Sequence, residues 1–127
     1  MAVCLATSVA AAVVAANAFT LAWTHSIERV RWEEAWRVED GGLVLERVRV
    51  RGHGAGMEPA EGAVLRDGAW EWHPRSRHAV LRLTRSAYTA DYEWCADGES
   101  CRPLSALIAS DGGVTELRAC PGGEAVR

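Results

Sequence analysis

A histidine, a carboxylate and two tryptophans that could act together lie within residues 19–36 of the chain. Placing the carboxylate of Glu34 among the indole rings of Trp23 and Trp36 would remove its hydration and raise its pKa, whereas a charged His25 would lower it. Such a pair is typical of a ligand contact or of an acid–base catalyst. A buried structural pair that fixes strand register has the same composition, so all three roles stay open.

Two adjacent strands are needed to bring these side chains together. Side chains two residues apart share one face of a strand. Trp23 and His25 therefore share a face of the first strand, and Glu34 and Trp36 share a face of the second strand. If residues 26–31 form the turn, antiparallel pairing places Trp23 opposite Glu34. His25 then lies diagonally to Glu34, at about 7 Å between backbones. The sequence therefore predicts one aromatic face that could contact a small molecule.

A glycine-rich segment, residues 52–56, is the second candidate for binding. Gly54 and Gly56 free the backbone to bend and let N–H groups converge on an anion. No Lys-Ser/Thr pair closes the segment, so it is not a nucleotide-binding loop. The sequence predicts either a wide bend between strands or a binding loop that presents Met57 and Glu58 at its tip.

The four cysteines of the chain indicate an oxidising compartment. Cys95 and Cys101 flank a predicted turn, which favours a disulfide that joins the two strands of a hairpin. These two cysteines have no second close pair beside them, which is a poor match to structural zinc sites, so no metal site is predicted. The pairing of Cys4 and Cys120 stays open.

Turn signals recur along the chain and divide it into short strands. Asp-Gly dipeptides, which favour tight hairpin turns, begin at residues 40, 67, 97 and 111. Alternating runs rich in β-branched and aromatic residues lie at 19–25, 32–38, 43–51, 69–72, 78–84, 89–94 and 114–118. We therefore predict a single-domain, all-β fold in which about seven to nine short strands form an antiparallel sandwich or a small barrel.

Residues 1–18 contain no charged side chain and end in Ala16-Asn17-Ala18, the small-residue pattern of a signal-peptidase site. We interpret them as an apolar leader that is a signal peptide, a membrane anchor or a first strand of the fold. Residues 19–127 then form the single β domain. Export predicts a protein that is periplasmic, or tethered to the membrane on its periplasmic side.

The charge of the chain argues against nucleic acid as a partner. The formal net charge is −3 at pH 7, and the basic residues are dispersed rather than clustered. No motif for a bound cofactor is recognisable. The partners that remain are other proteins and small-molecule ligands.

Four short motifs together resemble one family. They are Trp23–Glu28 (WTHSIE), Trp32–Trp36 (WEEAW), Gly54–Pro59 (GAGMEP) and Thr89–Tyr92 (TADY), followed by Cys95. Over residues 19–104 the chain resembles the bacterial domain of unknown function family 1850. Genes of that family are often found beside tripartite ATP-independent periplasmic (TRAP) transporters with the TAXI type of solute receptor. The resemblance implies an accessory role in solute uptake, and it transfers no catalytic residue.

Three functional hypotheses follow from these observations. The favoured one is a noncatalytic accessory or binding protein whose partners are the receptor or membrane subunits of a TRAP transporter, or a small-molecule ligand. Its predicted binding residues are Trp23, His25, Glu34, Trp36, Gly54, Gly56, Met57 and Glu58. The alternatives are a small hydrolase-like enzyme that uses a His/Glu pair and a purely structural subunit.

Overall fold

The computed structural model describes residues 1–24, 29–51, 61–96 and 100–121. Short strands make up most of this part of the chain, and many of them alternate apolar and polar residues. The strands are β1 (Ala2–Ala6), β2 (Ala11–Ala15), β3 (Ala18–Thr24), β4 (Arg31–Glu39), β5 (Gly42–Arg51), β6 (Val64–Arg66), β7 (Ala69–Trp72), β8 (Ser76–His78), β9 (Leu81–Thr84), β10 (Glu93–Ala96), β11 (Cys101–Pro103) and β12 (Val114–Cys120). A short 3-10 turn, Leu104–Ala106, separates β11 from β12.

The strands form two antiparallel sheets that pack as a sandwich. The large sheet has the order β11-β10-β3-β4-β5-β7-β6, with β8 also paired to β5, and the small sheet has the order β2-β1-β12-β9. The predicted all-β antiparallel fold is therefore confirmed. It takes the sandwich form rather than the closed barrel.

Two of the predicted Asp-Gly turns connect adjacent strands of the large sheet. Asp40 and Gly41 join β4 to β5 with φ angles of 48° and 75°, and Asp67 and Gly68 join β6 to β7 with φ angles of 50° and 77°. Positive φ at both central positions matches the twist of the flanking strands, which is why this dipeptide suits a tight hairpin. The Asp-Gly dipeptide that begins at residue 97 lies outside the described residues.

The hairpin of β3 and β4 has the predicted faces but not the predicted register. Trp23 lies opposite Trp32, and Leu21 lies opposite Glu34. The predicted pairing of Trp23 with Glu34 is therefore wrong by two residues. A shift of two leaves every side chain on its original face, so alternation alone cannot select between the two registers. The observed register brings the Trp23 and Trp32 rings into a parallel arrangement with centroids 6.1 Å apart.

The predicted single strand over residues 78–84 is wrong, because the structure divides it between the two sheets. β8 pairs with β5 in the large sheet, whereas β9 pairs with β12 in the small sheet. The chain therefore crosses from one sheet to the other between His78 and Leu81. An alternating pattern predicts extended backbone on both sides of such a crossing, but it carries no information about which strand each segment pairs with.

The first strand of the chain lies inside the small sheet. β1 pairs with β2 on one side and with β12 on the other. Val3 and Leu5 have no exposed surface, and a disulfide joins Cys4 to Cys120 at the end of β12. In this structure the apolar segment predicted as leader, anchor or first strand thus contains two strands of the small sheet, with β1 inside the sheet and β2 at its edge.

The main core lies between the two sheets. The small sheet contributes Val3, Leu5, Leu81, Leu83 and Leu117, and the large sheet contributes Phe19, Leu21, Trp36, Val38, Leu43 and Trp94. Phe19 stacks on Trp94 with centroids 4.4 Å apart. A smaller cluster of Val30, Val48 and Val50 lies on the large sheet beyond this core. The six tryptophans of the chain are therefore shared between the core and the sheet surface beside it.

Two disulfides are formed. The predicted bond between Cys95 and Cys101 is confirmed, and it joins β10 to β11. Both bonds are compatible with an oxidising compartment such as the periplasm. None of the described residues forms a helix with the length and apolar character needed to cross a bilayer.

Candidate functional site

A cleft of about 320 Å³ opens between the two sheets, beside the main core. Its lining consists of Trp23, Glu34, Trp36, Leu45, His78, Leu81, Arg82, Leu83 and Tyr92. We refer to this set as the aromatic cleft. Small-molecule sites have volumes of roughly 300–1,000 Å³ and combine apolar walls with a few polar groups. The aromatic cleft has this composition, and it contains three of the predicted binding residues.

Strand geometry places the three predicted residues together. Trp23 on β3 and Glu34 and Trp36 on β4 point to the same side of the large sheet, because Trp23 lies opposite Trp32 and the two β4 residues lie two and four positions beyond Trp32. The register of β4 against β5 shifts between Ala35 and Trp36, which indicates a β-bulge. Bulges redirect side chains locally and are frequent beside binding sites. Trp36 is almost fully buried, at 4% exposure.

Glu34 is the carboxylate of the aromatic cleft. Its Oε1 accepts a hydrogen bond from Nε1–H of Trp36 at 3.3 Å. Burial raises the pKa of Glu34, and the Trp36 hydrogen bond opposes that shift. No arginine, lysine or histidine of the described residues lies within 4.0 Å of this carboxylate. Glu34 thus combines partial burial with the lack of a counter-charge in that part of the chain.

His78 and Tyr92 belong to the aromatic cleft, although the sequence pattern did not identify them. His78 packs edge-on against Trp36 with ring centroids 5.3 Å apart, and its Nε2 lies 2.9 Å from Oγ of Ser76. Tyr92 packs edge-on against Trp23 at 5.5 Å. Tyr92 lies in the TADY motif that supports the family resemblance, so this motif could have identified Tyr92 as a candidate site residue. His78 had no comparable signal.

Burial also raises the pKa of the Tyr92 phenol. The negative charges of Glu34 and Asp91 add to this effect, whereas Arg85 opposes it. Glu34 and Tyr92 line the same cleft, which accounts for the influence of this carboxylate. The phenol is therefore neutral at physiological pH and offers an O–H group to a ligand.

An ion pair between the buried Arg85 and the partly exposed Asp91 supports the segment that carries Tyr92. The Nε and Nη2 groups of Arg85 donate to the two carboxylate oxygens of Asp91 at 3.1 and 3.0 Å. Nη1 of Arg85 donates to the carbonyl of Ile108 at 2.9 Å and to Oγ1 of Thr115 at 3.2 Å. The backbone N–H of Tyr92 donates to Asp91 at 2.9 Å. This network ties the start of the Tyr92 segment to β12.

The aromatic surface continues from the cleft along the large sheet. Trp23 lies parallel to Trp32, and Trp32 packs edge-on against Trp72 with centroids 6.3 Å apart. All three rings are partly exposed. With Tyr92, which directly precedes β10, they form a row of four rings that continues over β3, β4 and β7. A ligand longer than the cleft would find a continuous aromatic surface in that direction.

The opposite face of the large sheet is charged and contains a broader groove of about 700 Å³. Its lining contains four arginines and two glutamates, so an excess of positive charge remains. Arg37 pairs with Glu39 and Glu46, both at 2.6 Å, and Arg77 donates to the carbonyls of Glu39 and Asp40. Only Ala35 and Val44 of this lining are apolar, so the groove offers little apolar wall to a ligand. The aromatic cleft is the stronger candidate because it combines aromatic and apolar walls with a partly buried carboxylate.

Five predicted binding residues lie outside the described residues. They are His25, Gly54, Gly56, Met57 and Glu58. The predicted proximity of His25 to Glu34 depended on a register that the hairpin does not adopt, because Trp23 rather than His25 lies opposite Trp32. The observed register therefore gives no support for a pair of His25 with Glu34.

Because the pKa of Glu34 is raised in the folded protein, ionisation of this carboxyl group is predicted to lower the free energy of unfolding. A carboxyl group with a higher pKa in the folded state binds more protons folded than unfolded over the interval between the two pKa values, so stability falls as pH rises through that interval. Glu34→Gln keeps an acceptor for the Trp36 N–H but never ionises. We expect this variant to be more stable than the wild type at pH 7, and the difference to vanish below about pH 4.

Urea denaturation at the two pH values measures this difference in the free energy of unfolding. Glu61→Gln is the matched control, because Glu61 is an exposed turn residue away from the aromatic cleft. A Glu34→Gln variant that is less stable than the wild type at pH 7 would contradict this prediction, because it would mean that the carboxylate has a stabilising partner.

One family model matches the chain. The model described as Domain of unknown function (DUF1850) covers residues 19–104, which is more than half of the sequence. No curated protein and no solved structure matches the chain. Every residue that lines the aromatic cleft falls within the matched region.

Proposed function

This chain belongs to the DUF1850 family, and from that premise we propose that it is a noncatalytic accessory protein of solute uptake that holds a small-molecule ligand in the aromatic cleft. The partner that the family resemblance suggests is a TRAP transporter with a TAXI-type receptor. The observation that supports ligand binding is Glu34, a partly buried carboxylate among aromatic rings with no counter-charge within 4.0 Å among the described residues.

The composition of the aromatic cleft favours binding. Trp23, Trp36 and Tyr92 provide large apolar surfaces, and Glu34 provides one charged group that would fix the orientation of a ligand. Most binding energy in such sites comes from the apolar surface that is removed from water, and the polar groups supply selectivity. A protein that presents this cleft can retain a solute without changing it chemically.

A hydrolase-like enzyme is the second candidate, and one observation favours it. Burial raises the pKa of Glu34, as a carboxyl group that acts as a general acid requires. His78 lies in the same cleft, where it could exchange a proton with a ligand. If the protein only binds its ligand, a solute that raises the Tm of the protein should be recovered chemically unchanged after prolonged incubation with it. Conversion of the solute would instead favour the enzyme.

Two disulfides support the proposal that the protein works in the periplasm, because such bonds persist in oxidising compartments. Residues 2–6 form a central strand of the small sheet, so the working form would retain them. A protein processed after Ala18 would lose both β1 and the partner of Cys120. The periplasmic form is therefore proposed to contain residues 1–18.

The accessory role predicts co-isolation with transporter subunits. The protein would be tagged at its C-terminus in the native host, fractionated into periplasm and membrane, mildly crosslinked and purified. We expect TRAP receptor or membrane subunits among the crosslinked proteins, and an N-terminal peptide from residues 1–18 in the mass spectrum. Recovery from the periplasm without any transporter subunit would remove the support for the accessory role.

Ligand binding is tested separately, by a thermal-shift screen of anionic, neutral and cationic solutes. A solute that occupies the aromatic cleft should raise the Tm of the wild type and have a smaller effect on Trp23→Ala. Val13→Ala is a suitable control, because Val13 is an exposed residue of β2 far from the cleft lining. If no solute shows a Trp23-dependent shift, the cleft is not the binding site.

A further inference from the structure

The charge and the rings of the aromatic cleft indicate the class of its ligand. Resting on the proposed function, we infer that the aromatic cleft takes a small organic cation of the ammonium type. Three observations support this inference: the carboxylate of Glu34, the aromatic walls around it, and the engagement of the nearby basic side chains with other groups.

Glu34 would gain most from a cationic ligand. It is partly buried, and the hydrogen bond from Trp36 at 3.3 Å satisfies only part of its capacity to accept. Removing a carboxylate from water is costly unless an opposite charge lies nearby. Within the described residues no side chain provides that charge at 4.0 Å or less. An ammonium group in the cleft would provide it.

The rings provide the second attraction for a cation. The faces of Trp and Tyr rings carry partial negative charge and attract ammonium groups, and sites for quaternary ammonium ligands are built from several such rings. Trp23 and Tyr92 meet edge to face at 5.5 Å beside Glu34, and Trp36 donates to that carboxylate. An anionic ligand would be repelled by both the rings and Glu34.

The basic residues of the lining do not reverse this preference. Arg82 has 65% of its side chain exposed, and its Nε donates to Oε2 of Glu116 at 3.0 Å. His78 is engaged with Ser76 at 2.9 Å. Arg85, behind Tyr92, is paired with Asp91. The carboxylate of Glu34 therefore remains the unpaired charge that faces the cleft among the described residues.

Choline and its uncharged isostere, 3,3-dimethylbutan-1-ol, test the inference directly because they have the same shape and differ in charge. Both would be titrated into the full-length, disulfide-bonded protein at constant ionic strength, and the indole N–H signal of Trp36 would be followed by NMR. We expect choline to bind about tenfold more tightly than the isostere, since a desolvated cation gains from both the rings and the carboxylate.

Substitution of Glu34 separates the charge effect from shape. Glu34→Gln is expected to weaken choline binding about tenfold and to leave the affinity for the isostere unchanged. Glu61→Gln should change neither affinity, because Glu61 is not part of the cleft lining. Equal affinities of the wild type for choline and the isostere would overturn the inference.

A different outcome would distinguish this inference from the proposed function. If the solute screen finds a neutral or anionic solute whose effect depends on Trp23, the cleft is a ligand site but not one for cations. In that case the proposed function stands and the inference on ligand class is overturned. The absence of any Trp23-dependent solute would count against both.

Discussion

Deleting residues 1–18 is expected to abolish cooperative folding of the remaining chain. The deletion removes β1 and β2, which are two of the four strands of the small sheet, and leaves one edge of β12 without a partner. It also removes Val3 and Leu5, which have no exposed surface and pack in the core between the sheets.

The size of this effect follows from burial and from the disulfide. A fully buried Val or Leu side chain contributes about 1.5–3 kcal/mol. A disulfide typically contributes about 2–4 kcal/mol, and the bond between Cys4 and Cys120 closes nearly the whole chain. Together these losses are comparable with the total stability of a domain, about 5–15 kcal/mol. Thermal unfolding followed by near-ultraviolet circular dichroism should show no cooperative transition.

Single substitutions test the same point without truncation. Leu5→Ala is expected to cost about 2–5 kcal/mol, because it leaves a cavity in the core. Val13→Ala, on the exposed face of β2, should change stability by less than about 0.5 kcal/mol.

Replacing Cys4 and Cys120 together by serine should cost about 2–4 kcal/mol. A fragment that begins at Phe19 and unfolds cooperatively with the Tm of the full chain would show that the small sheet does not need β1 and β2.

The second large effect is expected from Asp91→Ala, which should destabilise the protein by about 3–5 kcal/mol. The substitution leaves the guanidinium of Arg85 buried without its counter-charge, since only 1% of the Arg85 side chain is exposed. It also removes the acceptor for the backbone N–H groups of Tyr92 and Ser105. Chemical denaturation monitored by tryptophan fluorescence measures the loss.

A double variant distinguishes the cost of an unpaired charge from the value of the pair. Replacing Arg85 by Met and Asp91 by Leu removes both charges, and it should be less damaging than Asp91→Ala alone because no buried charge is left unpaired. Glu116→Gln, which breaks exposed pairs with Arg82 and Arg118, should be far less damaging than Asp91→Ala. If Asp91→Ala were as mild as Glu116→Gln, the Arg85 network would not be important for stability.

The aromatic cleft would respond to the same substitution, because Asp91 holds the segment from which Tyr92 projects. If the Asp91→Ala variant is destabilised but still folded, we expect a solute that binds the cleft to raise its Tm by less than it raises the Tm of the wild type. This effect differs from that of Glu34→Gln, which changes the charge of the cleft without disturbing the Arg85 network.

Local features were predictable because they depend on residues close in sequence. The Asp40-Gly41 turn follows from the positive φ angles that this dipeptide adopts easily. The bond between Cys95 and Cys101 follows from a hairpin that brings its two ends together. In the same way, alternation placed Trp23, Glu34 and Trp36 on one face of the large sheet.

Register and strand partners were not predictable, because they depend on contacts distant in sequence. A two-residue shift of β3 against β4 preserves every face, so the pattern fits both pairings equally well. For residues 1–18, an uncharged Ala/Val-rich segment suits a leader, an anchor and a buried strand alike. What makes β1 a buried strand in this structure is its pairing with β12, which comes from the other end of the chain. A pattern within residues 1–18 carries no information about that distant partner.

The sequence alone determined an all-β fold, one local disulfide and an aromatic face that carries a carboxylate, because strand period and turn chemistry are short-range properties. Only the tertiary structure decided what encloses that carboxylate. Packing of the small sheet adds Leu81 and Leu83 to the lining of the cleft, and β8 and the Tyr92 segment add the rings of His78 and Tyr92. A cleft forms where two sheets meet, so its lining is a property of the packed layers rather than of any one segment.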